Sequence, residues 1–225
     1  MVESSLQGWP QRGHVLIMPF DALLHDQATR RLLAYRAALA EQGLCPGLPF
    51  RTLAVLTTDL PGEVIELAVT LEDGTHRVQR ARPATPMAPA ASQVHGLTLE
   101  MLQNEQPLRT RRRSLEHLLS QPDADGQAVP LVIWAGDFTR DALSNSFETP
   151  FTLPLVSLQP LIQACNVAIN PSARSRPSLD GMNWTVPLRA PDRTLALSVA
   201  QSTRELVDLL LTSEAIRTAP RRTVP

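Results

Sequence analysis

The stretch Leu53-Ala54-Val55-Leu56-Thr57-Thr58-Asp59-Leu60-Pro61-Gly62-Glu63-Val64-Ile65-Glu66-Leu67-Ala68 decides how this chain reads. Residues 52–57 are a short apolar run, Pro61-Gly62 marks a turn, and residues 63–70 resume as a second strand. The next four residues, Glu72-Asp73-Gly74-Thr75, carry a strong hairpin signal, because Asp-Gly tolerates the backbone that tight hairpins require. Residues 76–81 alternate and return as a third strand. Three antiparallel strands in succession form a meander.

Working outward, the 20 prolines act as punctuation. Two stretches lack them, between Phe20 and Cys45 and between Asp192 and Ala219. Both carry apolar residues at three- to four-residue spacing, so helices are predicted at about 26–43 and 193–213. The Pro- and Ala-rich stretch 83–91 reads as a loop, with helical turns following at 98–103 and 108–120. Residues 130–135 form a fully apolar strand and 137–146 a helix with Asp137 as its N-cap. A strand at 151–158, a helix at 160–167 and a long loop at 170–191 complete the pattern. Short apolar strands after a meander suit an α/β fold, a mixed sheet with helices on both faces. Residues 1–47, with a strand at 14–20 and one helix, are too short to fold alone and are expected to pack as an extension on a main domain at 48–213. Residues 214–225 are expected to be a flexible tail.

The chain has 225 residues, 43% of them hydrophobic, enough for a core. Its 21 basic residues balance 22 acidic ones, and all 21 are arginine. Without lysine, Schiff-base chemistry and a phosphate-loop lysine are excluded. Cys45 and Cys165 are too few for a disulfide framework or a cysteine-rich zinc site. The apolar stretch at 15–20 is too short for a signal-peptide core or a membrane span, so a cytoplasmic protein without membrane association is expected.

Four segments in order resemble one family. The 53–68 stretch is similar to the first motif of the DnaQ-like, proofreading-type 3′–5′ exonucleases of the ribonuclease H-like superfamily, Asp-x-Glu-Thr-Thr-Gly-Leu. Val94-His95-Gly96-Leu97-Thr98-Leu99-Glu100-Met101-Leu102 resembles the family's His-Gly-Ile-Thr-x-Glu-Met-Leu segment. Trp134-Ala135-Gly136-Asp137-Phe138-Thr139-Arg140-Asp141-Ala142-Leu143 aligns on the second motif, and Asp192-Arg193-Thr194-Leu195-Ala196-Leu197-Ser198 on the third. The resemblance spans roughly residues 50–213 and implies a ribonuclease H-like fold with three antiparallel strands followed by parallel ones.

The departures bear most on function. The family's chemistry uses two divalent metals held by four carboxylates, because paired hard cations roughly 4 Å apart need anionic oxygen ligands. Ala54, Leu56, Thr139 and Leu197 stand at the four carboxylate positions, and slipping the third motif only brings in Ser198 or Val199. Asp192 stands where the family has its water-activating histidine. Asp59 lies in the loop after the first strand, and Asp137 and Asp141 flank Thr139 by two helical positions, turned away from it by roughly 200°. Glu66 falls where the family often has a structural glutamate. Trp134, with Ala54, Leu56 and Leu197, is expected to fill the vacated site with apolar bulk.

The resemblance also implies a groove for single-stranded nucleic acid, contacted at positions matching Thr57, Thr58, Leu60, His95 and Gly96. Asp59 replaces a glycine there and adds negative charge. His95 reads first as a buried histidine capping or bonding its local turn. Arg109, Arg111, Arg112 and Arg113 form the densest basic patch, suited to phosphate, though it also reads as the solvated face of a helix and has no interleaved aromatics. The expectation is a catalytically inactive, nucleic-acid-associated binding or scaffolding module of a replication or repair complex, without a cofactor and with a protein partner. The alternatives are an active Mg²⁺- or Mn²⁺-dependent exonuclease with displaced ligands, and a protein-interaction module with no nucleic-acid contact.

Overall fold

The computed structural model describes residues 20–184, 188 and 190–213. The strand expected at 14–20 lies outside this range up to Pro19, and Phe20 instead opens a helix, α1 (Phe20–Glu41). The tail expected at 214–225 also lies outside it. Strands β1 (Arg51–Thr57), β2 (Val64–Thr70) and β3 (His76–Arg80) form the predicted meander. Its second hairpin closes through Asp73, whose carboxylate accepts the Thr75 N–H and hydroxyl, with Gly74 at φ +84°.

Next come α2 (Pro89–His95), α3 (Leu99–Leu102), a 3-10 turn (Leu108–Arg111) and α4 (Arg112–Ser120). Helix α2 occupies part of the stretch expected as loop, because Pro89 sits at the helix start, where its missing N–H costs nothing. Then β4 (Leu131–Ile133) leads into α5 (Gly136–Phe147) and β5 (Val156–Ser157) into α6 (Leu158–Ile169); a 3-10 turn (Asp180–Trp184) interrupts the expected long loop before α7 (Ala196–Thr212). The strand expected at 151–158 shrinks to two residues. The segment before it is held by side chains instead: the Phe151 ring is buried near Phe147, and Arg140 donates to the Phe151 carbonyl. Ala135, not Asp137, occupies the α5 N-cap, since Gly136 donates to the Ser157 hydroxyl and starts the helix early.

The five-stranded sheet has the order β3-β2-β1-β4-β5. Its first three strands are antiparallel, and β1, β4 and β5 are parallel. Side-chain alternation divides it into two faces. Leu53, Leu67 and Val69 join Leu115, Leu119 and Leu143 of α4 and α5 on one face. On the other, Val132 joins Tyr35 and Leu39 of α1, Ile162 of α6 and Leu206 and Leu210 of α7. Among the described residues no helix is long and apolar enough to cross a membrane.

Buried polar groups lock these layers in register. Arg51 is 2% exposed and forks onto Glu72 at 2.7 and 2.8 Å while donating to the carbonyls of Leu118 and Leu119 at the end of α4. Arg204 of α7 donates to the Leu71 and Glu72 carbonyls and stacks on Phe50. At the C-terminal end of α7, Arg36 of α1 donates to the carbonyls of Leu210 and Ser213, satisfying part of a helix C-terminus.

Candidate functional site

Ala54, Leu56 and Leu197 come together where β1 meets the start of α7. Ala54 and Ala68 are register partners on β1 and β2, and both belong to one buried cluster with Ala196 and Ala200 of α7. Four methyl groups at the interface let the helix lie close on the sheet. Leu56 and Leu197 pack against this cluster, and Leu56 also touches a second one formed by Ile65, Leu97 and Leu102. Ala54, Leu56 and Leu197, three of the four positions that the sequence resemblance aligns with carboxylates, are therefore apolar side chains in one packed cluster. Thr139, the fourth, is buried on α5 and spends its hydroxyl on the Ala135 carbonyl at 2.9 Å. Trp134 does not join this group; it packs on the larger core under α1, α6 and α7.

Residues of this kind cannot hold divalent metal, since neither a methyl nor an isobutyl group offers a donor oxygen. Among the described residues, no group of three or more His, Cys, Asp or Glu is assembled as a metal site. Asp59, Asp137 and Asp141 are exposed. Buried Glu66 is committed elsewhere: it accepts the Ala196 N–H at the start of α7 and the Arg80 guanidinium, each at 3.0 Å. This places a carboxylate against the positive end of the helix dipole, a structural use of the charge. Asp192 is exposed; hydrogen bonds from the Thr194 hydroxyl and N–H hold its carboxyl below the usual range and close a local turn.

The β1–β2 turn is closed upon itself. Thr57 donates its hydroxyl to the Asp59 carbonyl, Thr58 accepts the Glu63 N–H, and the Asp59 carboxylate accepts the Leu60 N–H. A side chain at Gly62 would meet the Asp59 nitrogen at 2.4 Å, so only glycine fits there. Glu63 accepts the N–H groups of Ala84 and Thr85, and Thr58 receives the Ala88 N–H on its carbonyl, tying the loop before α2 to the turn. No sequence pattern pointed to Glu63 or Thr85, whose pairing across 22 positions exists only in the fold. Leu60 stands out from this turn at 79% exposure.

His95 ends α2 and Gly96 caps it in the left-handed conformation at φ +71°. Its Nδ1 accepts the Leu97 N–H at 3.1 Å, which leaves the proton on Nε2. Nε2 is buried without a hydrogen-bond partner among the described residues; the Thr57 carbonyl and the Glu66 carboxylate favour its charged form, but burial outweighs both and lowers the pKa.

The basic patch is largely engaged within the fold. Arg109 pairs with Glu148, Arg111 donates to Gln79, and Arg112 pairs with Glu116 at 2.9 Å while stacking on Phe147. Arg113 is exposed on α4. The four arginines thus lie at the face of the sheet covered by α4 and α5, not on α7 where Leu197 lies.

No family model matches this chain, and no curated protein matches it in sequence. Solved structures do. The zinc-ion-bound Escherichia coli exonuclease I complex with single-stranded DNA superposes with a TM-score of 0.59 at 15% identity, over 73% of this chain and 40% of that one. The same enzyme with a dT13 oligonucleotide gives 0.57 at 14% identity, over 72% and 41%. The fold is ribonuclease H-like, of the exonuclease type. At this identity the likeness is one of fold, and the chain spans about two-fifths of the length of exonuclease I.

Proposed function

We propose that this chain is a catalytically inactive exonuclease-like domain that works by binding: a nucleic-acid-associated binding or scaffolding module, acting in the cytoplasm within a replication or repair complex. The observation that carries this reading is the cluster of Ala54, Leu56 and Leu197 with Ala68, Ala196 and Ala200, which puts packed hydrocarbon where the matching motifs place metal ligands. The exposed positions of Asp59, Asp137 and Asp141 and the commitment of Glu66 to Arg80 and α7 speak against a displaced metal site. A nucleic-acid partner is supported by the fold and by the single-stranded DNA in the exonuclease I structures that share it.

Purified protein incubated with Mg²⁺ or Mn²⁺ and a 5′-labelled single-stranded oligonucleotide should leave it at full length; chelator-sensitive shortening overturns the inactive reading. Binding to the same oligonucleotide should weaken as salt rises, since phosphate contacts release counterions. No binding at low salt would remove the nucleic acid and leave a protein-interaction module.

A further inference from the structure

A second surface lies at the opposite side of the sheet from β5. β3 is an edge strand, and beside it a groove of about 400 Å³ opens between the sheet and α4. Its floor is Leu67 and Val69, its wall Leu115 and Leu118, and Arg77 and Arg111 stand over it. Arg77, Val78 and Gln79 all line it, and since successive side chains of a strand alternate, the groove reaches the strand's rim. The ladder fixes what that rim offers. Ala81 donates to the Ile65 carbonyl and Leu71 donates to the Thr75 carbonyl, so odd-numbered residues bond towards β2, and His76, Val78 and Arg80 turn their N–H and C=O outward, the Arg80 carbonyl accepting the Gln79 side-chain amide at 2.6 Å. Val78 is also 46% exposed.

We propose that the rim of β3 and this groove dock an extended, acidic segment of a partner protein, added as a further strand of the sheet. Charge selects the occupant. Among the described residues the groove is lined by two arginines and His117 and by no carboxylate; the nearby Glu66, Glu72 and Glu116 are each held by an arginine of this chain. A second copy of β3 (His-Arg-Val-Gln-Arg) would bring two basic strands together with no acid between them, one way an exposed edge resists self-association. An alternating acidic and apolar segment meets the outward peptide groups, with its acids on the face of Arg77 and Arg111 and its apolar residues on the opposite face beside Val78. Among the described residues the groove has no Phe, Tyr or Trp on which a base would stack, which favours peptide over nucleic acid. This inference does not depend on how the α7 side of the molecule functions.

The test is fluorescence anisotropy with a labelled Asp-Val-Glu-Val-Asp-Val-Glu peptide, a Lys-for-acid version of it, and a dT oligonucleotide as competitor, all on the full chain. The acidic peptide should bind and the basic one should not. Arg77→Glu and Arg111→Glu should each weaken binding by about tenfold or more. Val78→Pro, which removes an outward N–H without costing a ladder bond, should do the same with an unchanged far-ultraviolet spectrum. The proposal fails if both peptides bind alike, if the arginine reversals leave affinity unchanged, or if the oligonucleotide displaces the peptide at equal concentration in the wild type but not in Arg77→Glu, which would make the surface a phosphate site.

Discussion

His95 shows how one side chain can be structural while carrying a consequence for stability. Its Nδ1 holds the Leu97 N–H, its Nε2 is buried, and burial lowers its pKa below the ordinary 6.5. The unfolded chain therefore takes up this proton first as pH falls. Below about pH 6.5 the unfolded state binds more protons than the folded one, so stability decreases with decreasing pH in that window and is fully present above it. Melting temperature should fall more steeply between about pH 7.5 and 5.5 in the wild type than in His95→Gln; parallel curves would show that this ring contributes nothing to the dependence. The dual reading of His95 from its sequence, nucleotide contact or turn-bonding histidine, is settled locally only as far as the Leu97 bond. A bond to its local turn was one of the readings of the sequence, but the helix that Gly96 caps was not, because residues 83–91 read as a loop. Nor was the orphaned Nε2, because it depends on what β1 and β2 bring above it.

At the scale of the element, the meander stood out because period-two patterning and the Asp-Gly turn are local properties. Helix α2 and the shortness of β5 did not. A Pro-Ala stretch has no periodic apolar face, and the 151–155 segment keeps apolar residues without a strand partner. Arg51 was equally hidden, since a charge at the start of a buried strand has no pattern to announce it. Its guanidinium is satisfied by Glu72 and two α4 carbonyls, and its hydrogen bond is the main reason the Glu72 carboxyl lies below its usual range. Arg51→Ala strands these acceptors and should cost about 3 kcal/mol in urea denaturation. Glu72→Ala leaves a buried cation and should cost a comparable amount, with the double variant less destabilised than the sum; additive losses would mean that the two residues do not act as a pair.

At the scale of the whole molecule, α1 is part of the core. Leu32, Tyr35 and Leu39 are buried with residues of α6 and α7, Tyr35 donates to Asn166 at 2.6 Å, and Arg36 ties down the end of α7. Removing residues 1–47 would expose Ile162, Leu206 and Leu210. Each buried Leu or Ile contributes about 1.5–3 kcal/mol, a large share of the stability of a domain this size. The 48–225 fragment should be insoluble or lack a cooperative melt; a fragment that melts cooperatively near the full-length temperature would show that α1 is dispensable.

The sequence by itself determined the strand order of the meander, the two long helices, the exonuclease-type fold and the apolar identity of the positions where that fold carries acids. The meander and the helices follow from local period and turn chemistry; the fold type and the acid positions follow from the resemblance of four ordered segments to the exonuclease motifs. Only the tertiary structure decided that Ala54, Ala68, Ala196 and Ala200 meet in one interface, that Trp134 packs elsewhere, that Glu66 serves α7 and Arg80, and that three of the four clustered arginines have partners inside the molecule. The reason is that these neighbours lie far apart along the chain, Glu66 and Ala196 by 130 positions. Their meeting depends on strand register and on where each helix docks, which no local pattern encodes.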